Sequence, residues 1–401
     1  MTPWLFVVGV GEDGLDGLPS SHRALIDSAE VLVGGERLLA MVPAGKAERI
    51  TWSRPFADSF PAIAAQRGRM VVALASGDPL WFGAGASLLD RFTIEDMTIL
   101  PTPGAFSLAA ARLGWPLAGV ETISLAARPL AQLNLFLAPG IRILALSQDG
   151  TTPAQAAVLL REAGWGPSRF VLLERLGGER ERIVEGTAEN WLAERCNVLN
   201  TIAIECRPGP GAKPRSRTAG LPDEAFSHDG QITKQEVRAA TLAALAPLPG
   251  ALLWDIGAGC GSIGIEWSRA ARDAQAIAIE RDESRRALIA ANATGLGVPG
   301  LRIVAGAAPG ALAKLPAPDA VFIGGGIGDP GLVEAAWAAL KPRGRLVANA
   351  VTVAGEAEVA AARAAYGGEL VRLQVSRAEK LGDHLAWRPL LPVTQWAATK
   401  D

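Results

Sequence analysis

The chain has 401 residues, 49% of them hydrophobic and 20% charged, and a formal net charge of −2. This length and composition predict two folded domains with sizeable cores, and the small charge argues against a protein that coats nucleic acid or an anionic membrane. The three cysteines and three histidines show no metal-ligand spacing or disulfide framework. Neither a signal peptide nor a run of about 18 apolar residues is found, so we expect a cytoplasmic protein without a membrane span or a metal.

Segments typical of strands and helices alternate along the first half, which indicates α/β architecture. The predicted strands cover residues 4–8, 31–33, 70–75, 98–100, 141–146, 170–173 and 201–204. Three of them end in loops rich in glycine and proline. Loops at strand ends converge on one crevice in an α/β sheet, so we expect a ligand site there rather than three unrelated turns. The candidate residues are Gly9, Gly11, Ser76, Gly77, Asp78, Pro103 and Gly104.

A segment rich in proline, glycine and charge interrupts the pattern near the middle of the chain. It has no apolar periodicity, which is typical of a linker. We therefore predict one domain over residues 1–206, a linker over 207–222 and a second domain over 223–401.

The second half alternates more regularly. Strands are predicted at residues 251–255, 276–280, 302–304, 320–323 and 345–348, with helices between them. Residues 369–375 and 385–391 lack a helix-length insertion between them, and they predict a final antiparallel pair of strands.

A glycine-rich loop joins the first strand of the second half to a helix predicted at residues 262–270. Asp255 precedes the glycines, and Glu280 ends the next strand. Glycines allow a close ligand, and a carboxylate at that spacing can accept ribose hydroxyl groups. The loop favours S-adenosylmethionine (SAM) over NAD, since a carboxylate attracts the cationic sulfonium and ammonium groups but repels a pyrophosphate. The predicted cofactor residues are Asp255, Gly257, Ala258, Gly259, Cys260, Gly261 and Glu280.

Three further segments complete the predicted site. Thr233 is expected near the methionine end of SAM, and also as the N-cap of a helix whose capping box ends at Glu236. Many SAM-dependent enzymes carry an acid after the third strand that contacts the adenine amine. This chain has Ala307 and Ala308 there, so their backbone groups would have to contact the adenine instead. A glycine-rich floor after the fourth strand suits a broad, flat substrate, and its candidate residues are Gly324 and Gly325.

Together these motifs resemble a known fusion of two enzymes. The first half resembles the tetrapyrrole methylase family through its three loops and through residues 112–115 and 174–182. The second half resembles the partner methyltransferase through residues 220–226, 232–238, 255–261 and 306–309. The resemblance implies a tetrapyrrole-methylase fold of two α/β subdomains, followed by a Rossmann-like class I SAM-dependent methyltransferase fold. No single motif is specific, whereas the pairing of two different SAM folds is.

The resemblance also implies a function in cobalamin biosynthesis. The expected chemistry is methylation of ring carbons 5 and 15 of a precorrin and loss of carbon dioxide from the ring C acetate, with one SAM site per domain. The C5 methyl group is associated with the first domain, and the C15 methyl group and decarboxylation with the second. The expected partners are an anionic tetrapyrrole and further copies of the chain. No catalytic acid or base stands out.

The chain departs from the first family at one motif, Ser-x-His-Gly-Arg. Here the segment is Ser124-Leu-Ala-Ala-Arg128, so a role for that histidine has no support, while Ser124 and Arg128 stay candidates for substrate contact. Three alternatives remain open. They are a SAM-dependent enzyme acting on another tetrapyrrole or small molecule, an NAD-dependent dehydrogenase, and a non-catalytic SAM-binding protein.

Overall fold

The computed structural model describes residues 3–401, and it divides into two compact units. The first unit contains Met1–Leu130 and Ala138–Lys213, and the second contains Ala131–Leu137 and Pro214–Asp401. A short stretch of the first half of the sequence therefore belongs to the second unit. Within residues 3–401, no helix combines the length and apolar character that crossing a bilayer requires.

The first unit begins with a five-stranded parallel sheet in the order β3-β2-β4-β1-β5. Its central strands are apolar and mostly buried, as is usual for parallel strands with helices on both faces. The strands are β1 (Leu5–Val10), β2 (Val31–Gly34), β3 (Glu48–Thr51), β4 (Val71–Ser76) and β5 (Met97–Leu100), and the helices are α1 (Ser20–Ser28), α2 (Glu36–Met41), α3 (Ser59–Ala64), α4 (Ala84–Leu89) and α5 (Ala105–Leu113).

A second five-stranded sheet completes this unit, in the order β6-β7-β10-β8-β9. Only the β6–β7 pair is parallel, and the other neighbours are antiparallel. The two sheets correspond to the two α/β subdomains that the sequence predicts. The elements are β6 (Val120–Ser124), β7 (Arg142–Leu146), α6 (Thr152–Glu162), β8 (Arg169–Glu174), β9 (Arg182–Thr187) and β10 (Asn200–Glu205).

The second unit is built on a seven-stranded sheet in the order β13-β12-β11-β14-β15-β19-β16. The first five strands in this order are parallel, and β19 runs antiparallel to both of its neighbours. The elements are α7 (Gln235–Leu245), β11 (Leu252–Ile256), α8 (Ser262–Ala270), β12 (Gln275–Glu280), α9 (Glu283–Gly295), β13 (Arg302–Ala305), β14 (Ala320–Ile323), α10 (Leu332–Ala339), β15 (Arg345–Ala350), α11 (Val353–Tyr366), β16 (Glu369–Leu373), β17 (Ser376–Leu381), β18 (His384–Pro389) and β19 (Val393–Thr399).

Two expectations about this unit are wrong. The predicted pair of residues 369–375 with 385–391 does not form, because β16 pairs with β19, while β17 and β18 form a separate two-stranded sheet. Thr233 is not a helix cap either. Helix α7 has Lys234 at its N-cap position without a side-chain cap bond, and Glu236 is bonded to Arg377 instead.

Candidate functional sites

The second unit contains a cavity of about 840 Å³ at the carboxyl ends of its parallel strands. This is the edge at which open α/β sheets bind ligands. The predicted residues that line it come from five separate segments: Thr233, Asp255, Gly257, Ala258, Gly259, Cys260, Glu280, Ala307, Ala308, Gly324 and Gly325.

Asp255 is a buried carboxylate at the end of β11, and only 1% of its surface is exposed. Its Oδ2 accepts a hydrogen bond from the backbone N–H of Gly264 at 2.8 Å. Its Oδ1 has no partner among the described residues. Burial raises the pKa of Asp255 to about 7, and the nearby carboxylate of Glu280 adds to that rise. A cation placed beside Oδ1 would relieve this cost, so the residue is prepared for a positively charged ligand.

Glu280 ends β12, and its carboxylate is bonded to the loop of the neighbouring strand. Its Oε2 accepts from the N–H of Gly259 at 2.8 Å, and its Oε1 accepts from the N–H of Asp282 at 3.0 Å. These bonds fix the orientation of the side chain. Because each carboxylate oxygen can accept more than one hydrogen bond, both retain capacity for a pair of ligand hydroxyl groups.

The cofactor loop and the glycine floor after β14 approach each other closely. Gly257 has a φ of +68°, and a Cβ built on it would lie 3.0 Å from the backbone nitrogen of Gly325. A side chain at position 257 would therefore be strained and would crowd the floor. The structure thus brings the predicted cofactor and substrate segments together.

Other predicted residues of this unit occupy supporting positions. The backbone carbonyl of Ala307 accepts from the N–H of Ala311 at 3.0 Å, which partly uses the group expected to reach adenine. Gly261 is not among the residues that line the cavity, and its expected cofactor contact stays a prediction. With a φ of +81° it caps α8, and a Cβ there would lie 3.0 Å from Ile289.

Cations and a polar amide also line this cavity, and sequence reasoning did not identify them. They are Lys234, Arg281, Arg285 and Asn349. Arg281 follows Glu280 directly, so proximity to a predicted site residue was the available signal. Asn349 lies on β15, and no local motif marks it.

The first unit contains its own cavity of about 590 Å³. The predicted residues Gly11, Ser76, Gly77, Asp78, Pro103 and Gly104 line it. Its other lining residues are largely apolar and aromatic, and they include Trp52, Phe56, Trp81 and Phe82, which the sequence analysis did not identify. Such a lining suits a ligand with large flat apolar faces.

The polar lining of the first cavity includes an ion pair between Arg37 and Glu12. Arg37 also donates to Oγ of Ser76 at 2.8 Å, and Arg175 lies 3.4 Å from the same Glu12 carboxylate. The acid is therefore neutralised by two arginines, in contrast to Asp255. Neither arginine was among the sequence candidates.

Three backbone segments meet tightly at the base of this cavity. A Cβ on Gly77, whose φ is +61°, would lie 2.6 Å from Cα of Gly104. A Cβ on Gly9 would lie 2.0 Å from the carbonyl oxygen of Gly77. Gly9 is not among the residues that line the cavity, but it permits this close approach, and its expected cofactor contact stays a prediction.

Neither substrate candidate of the first unit lines its cavity. Ser124 is buried at the end of β6, where its register partner Leu146 does line the cavity. Arg128 is exposed, and its guanidinium lies 5.4 Å from the ring centre of Phe82, which also lines the cavity. Arg128 therefore lies beside the rim of the cavity and Ser124 behind its wall, and substrate contact by either residue stays a prediction.

Comparisons with known proteins match both halves of the chain. A family model described as tetrapyrrole (corrin/porphyrin) methylases matches residues 5–191, and one described as a precorrin methyltransferase domain matches residues 224–400. Over its full length the chain is 48% identical to a protein of Sinorhizobium sp. named precorrin-6Y C(5,15)-methyltransferase (decarboxylating), and the match covers 97% of that protein.

Two shorter relatives each match less than half of the chain. A cobalt-precorrin-7 C(5)-methyltransferase of Salmonella typhimurium is 33% identical over 45% of this chain and 88% of its own length. A probable cobalt-precorrin-6B C(15)-methyltransferase (decarboxylating) of Pyrobaculum calidifontis is 32% identical over 44% of this chain and 93% of its own length.

Proposed function

Because this chain belongs to the precorrin-6Y C(5,15)-methyltransferase (decarboxylating) family, we propose that it methylates precorrin-6Y at carbons 5 and 15 and removes carbon dioxide from the ring C acetate. SAM is the methyl donor of such an enzyme. The full-length match to the Sinorhizobium protein carries this proposal. It replaces the dehydrogenase and the non-catalytic alternatives.

We assign one SAM site to each unit. The two shorter relatives support this division, since one is named for the C5 methylation alone and the other for the C15 methylation with decarboxylation. Each covers under half of the chain, as expected if the two activities occupy separate halves. The first cavity would then serve C5 and the second would serve C15 and the decarboxylation.

The residues of the second cavity fit SAM. The partnerless Oδ1 of Asp255 offers a buried negative charge to the ammonium end of the ligand, and the oriented Glu280 carboxylate suits the ribose hydroxyl groups. The Gly257 loop leaves room for the ligand against the backbone. When bound, SAM supplies an activated methyl group.

The first cavity would hold SAM by different means. Gly11, Gly77 and Gly104 present backbone groups without side chains, and Glu12 is paired with Arg37. Asp78 also lines the cavity, and its Oδ1 accepts from the backbone N–H of Leu80 at 2.9 Å. The aromatic lining supplies apolar surface for the adenine or the macrocycle. Backbone and apolar contacts would therefore take a larger part here than in the second cavity.

The contribution of the protein to the chemistry is positioning and exclusion of water. The meso carbons of a conjugated, enamine-like macrocycle are nucleophilic, so aligning them with the methyl donor gives most of the acceleration. Electrons released by the loss of carbon dioxide enter the same conjugated ring system. Arg281, Arg285 and Lys234 give the second cavity positive charge for the carboxylates of the substrate.

Incubation with isotopically labelled SAM and precorrin-6Y tests the proposal. We expect a product that carries two labelled methyl groups and has lost one carboxyl group as carbon dioxide, as followed by mass spectrometry and gas release. An unchanged precorrin-6Y, in the presence of measurable SAM binding, would contradict it. Self-association stays a prediction, which sedimentation of the full chain tests.

A further inference from the structure

An ionic cluster in the second unit joins the beginning of α7 to the β17–β18 hairpin. Arg377 on β17 donates from Nε and Nη2 to the two carboxylate oxygens of Glu236, at 3.1 and 2.7 Å. Both of its terminal nitrogens also lie 3.2 Å from Oδ2 of Asp223. One guanidinium on the hairpin thus holds two acids on two other segments.

The cluster continues into the interior through Asp223. Its other oxygen accepts from Arg238 at 3.2 Å, and Arg238 is completely buried. Arg238 donates in turn to Glu266 at 2.6 Å and to the backbone carbonyl of Thr233. The acids that Arg377 contacts are therefore anchored to the core, and the same anchor fixes a segment that lines the SAM cavity.

The hairpin itself has little else to hold it. Strands β17 and β18 pair only with each other, and most of their residues are exposed. An isolated two-stranded hairpin is marginally stable in water. Nevertheless the residues at its two ends, Val375, Leu390 and Leu391, line the cavity. The position of this part of the wall depends on what ties the hairpin to the rest of the unit.

We propose that Arg377 is a positioning residue that holds the hairpin in place and so shapes the tetrapyrrole-binding wall of the second cavity. This inference rests on the proposed function. We assign this wall to the substrate rather than to SAM, because the bonds that hold Asp255 and Glu280 involve neither the hairpin nor Arg377. Thr233 is tied to the cluster through Arg238, and that bond does not depend on Arg377.

Kinetics of an Arg377→Gln variant test the proposal, with Arg388→Gln as the matched control. Arg388 lies on the same hairpin and forms an exposed pair with Glu379 at 3.0 Å, and no side-chain hydrogen bond or ion pair joins it to a described residue outside the hairpin. We expect Arg377→Gln to raise the KM for the tetrapyrrole in C15 methylation roughly fivefold to tenfold. The kcat, and the Kd for SAM measured by calorimetry, should change less than twofold. Arg377→Lys should recover part of the loss.

Hydrogen exchange of the full-length chain without substrate gives a second measurement. Arg377→Gln should speed exchange at residues 375–391, and Glu236→Gln should do the same, with little additional effect in the double variant. Equal KM and exchange for the Arg377 and Arg388 variants would overturn the proposal, as would a SAM Kd that rises as much as the tetrapyrrole KM. If wild-type protein does not methylate precorrin-6Y, the proposed function fails, and the exchange data still decide whether Arg377 holds the hairpin.

Discussion

The two cavities of this chain differ in how an acid of their lining is paired. In the first, the acid Glu12 is neutralised by Arg37 and Arg175, and most of the wall is apolar. In the second, Asp255 is buried without a counter-ion, and Glu280 lies nearby. A cationic ligand can thus be met either by backbone groups and apolar surface or by unpaired carboxylates. Only in the second cavity does the protein without ligand contain a buried carboxylate whose charge is not compensated.

The largest expected effect is the loss of C15 methylation and decarboxylation while C5 methylation continues. Replacing Glu280 with Ala removes a carboxylate oriented for the ribose and loosens the Gly259 loop. Losing charge-assisted hydrogen bonds worth roughly 1.5–3 kcal/mol each should weaken SAM binding in the second unit about 100-fold. Product analysis at limiting SAM should show a C5-methylated product without the C15 methyl group or decarboxylation.

The matched change in the first unit is Ser76→Trp. Ser76 is exposed within its cavity, so the larger side chain fills that space without entering the core. We expect loss of the C5 methyl group while C15 methylation continues. If either substitution in a folded protein abolished both methylations, the assignment of one site to each unit would be wrong.

The next prediction compares the unfolding free energy lost when an ion pair is broken in each of the two units. Arg238 is completely buried against Glu266, whereas Arg112 pairs with Glu181 while its side chain stays 40% exposed. Removing one partner of a buried pair leaves an uncompensated charge, so Arg238→Met should cost about 3–5 kcal/mol of unfolding free energy. Arg112→Met should cost under about 1 kcal/mol. Urea unfolding followed by hydrogen exchange in α7 and α5 measures the two separately, and similar losses would contradict the contrast.

A pH-dependent effect follows from Asp255. Its pKa of about 7 lies above the ordinary value, so the protonated group favours folding below about pH 4, and this contribution is lost as the pH rises to 7. The loss amounts to about 4 kcal/mol. Asp255→Asn cannot ionise and keeps an acceptor for Gly264, so its stability should fall less over this range.

Thermal unfolding of both proteins without SAM between pH 4 and 8 measures that difference. The Asp255→Asn variant should also bind SAM more weakly than the wild-type protein at pH 8. The same substitution would thus improve relative stability at high pH and weaken SAM binding. Parallel stability curves for the two proteins would show that burial does not hold the Asp255 carboxyl in its protonated form.

Local patterns in the sequence predicted the interior of the fold well. Most of the buried strands were predicted, because long apolar runs bounded by glycines are visible without tertiary information. The buried interior strand β19 was missed, as was β17 of the hairpin, whereas the other missed strands, β3, β6 and β9, lie at sheet edges. Residues of β3 and β9 are largely exposed, so they lack the apolar signal on which the prediction depends.

Pairing and packing between distant segments were harder to predict. The Asp255 loop and Glu280 were recognisable because strand, glycines and acid follow at short fixed distances. The pairing of β16 with β19, the place of residues 131–137 in the second unit and the Arg377 cluster depend on segments far apart in sequence. No local pattern encodes which distant strand or acid a segment will meet.

The smallest expected effect concerns the rim of the first cavity. Arg128 lies over the ring of Phe82, a lining residue whose φ of +56° is unusual for a bulky side chain. An exposed cation can pair with a substrate carboxylate for about 1 kcal/mol, so Arg128→Gln should raise the tetrapyrrole KM for C5 methylation roughly fivefold. The Arg91→Gln variant is the control, since Arg91 also lies over a ring, that of Phe60, and neither residue lines the cavity. If Arg128 contacts the substrate, only Arg128→Gln should raise the KM for C5 methylation, and C15 methylation should be unchanged. Equal KM values for the Arg128→Gln and Arg91→Gln variants would show that Arg128 does not contact the substrate.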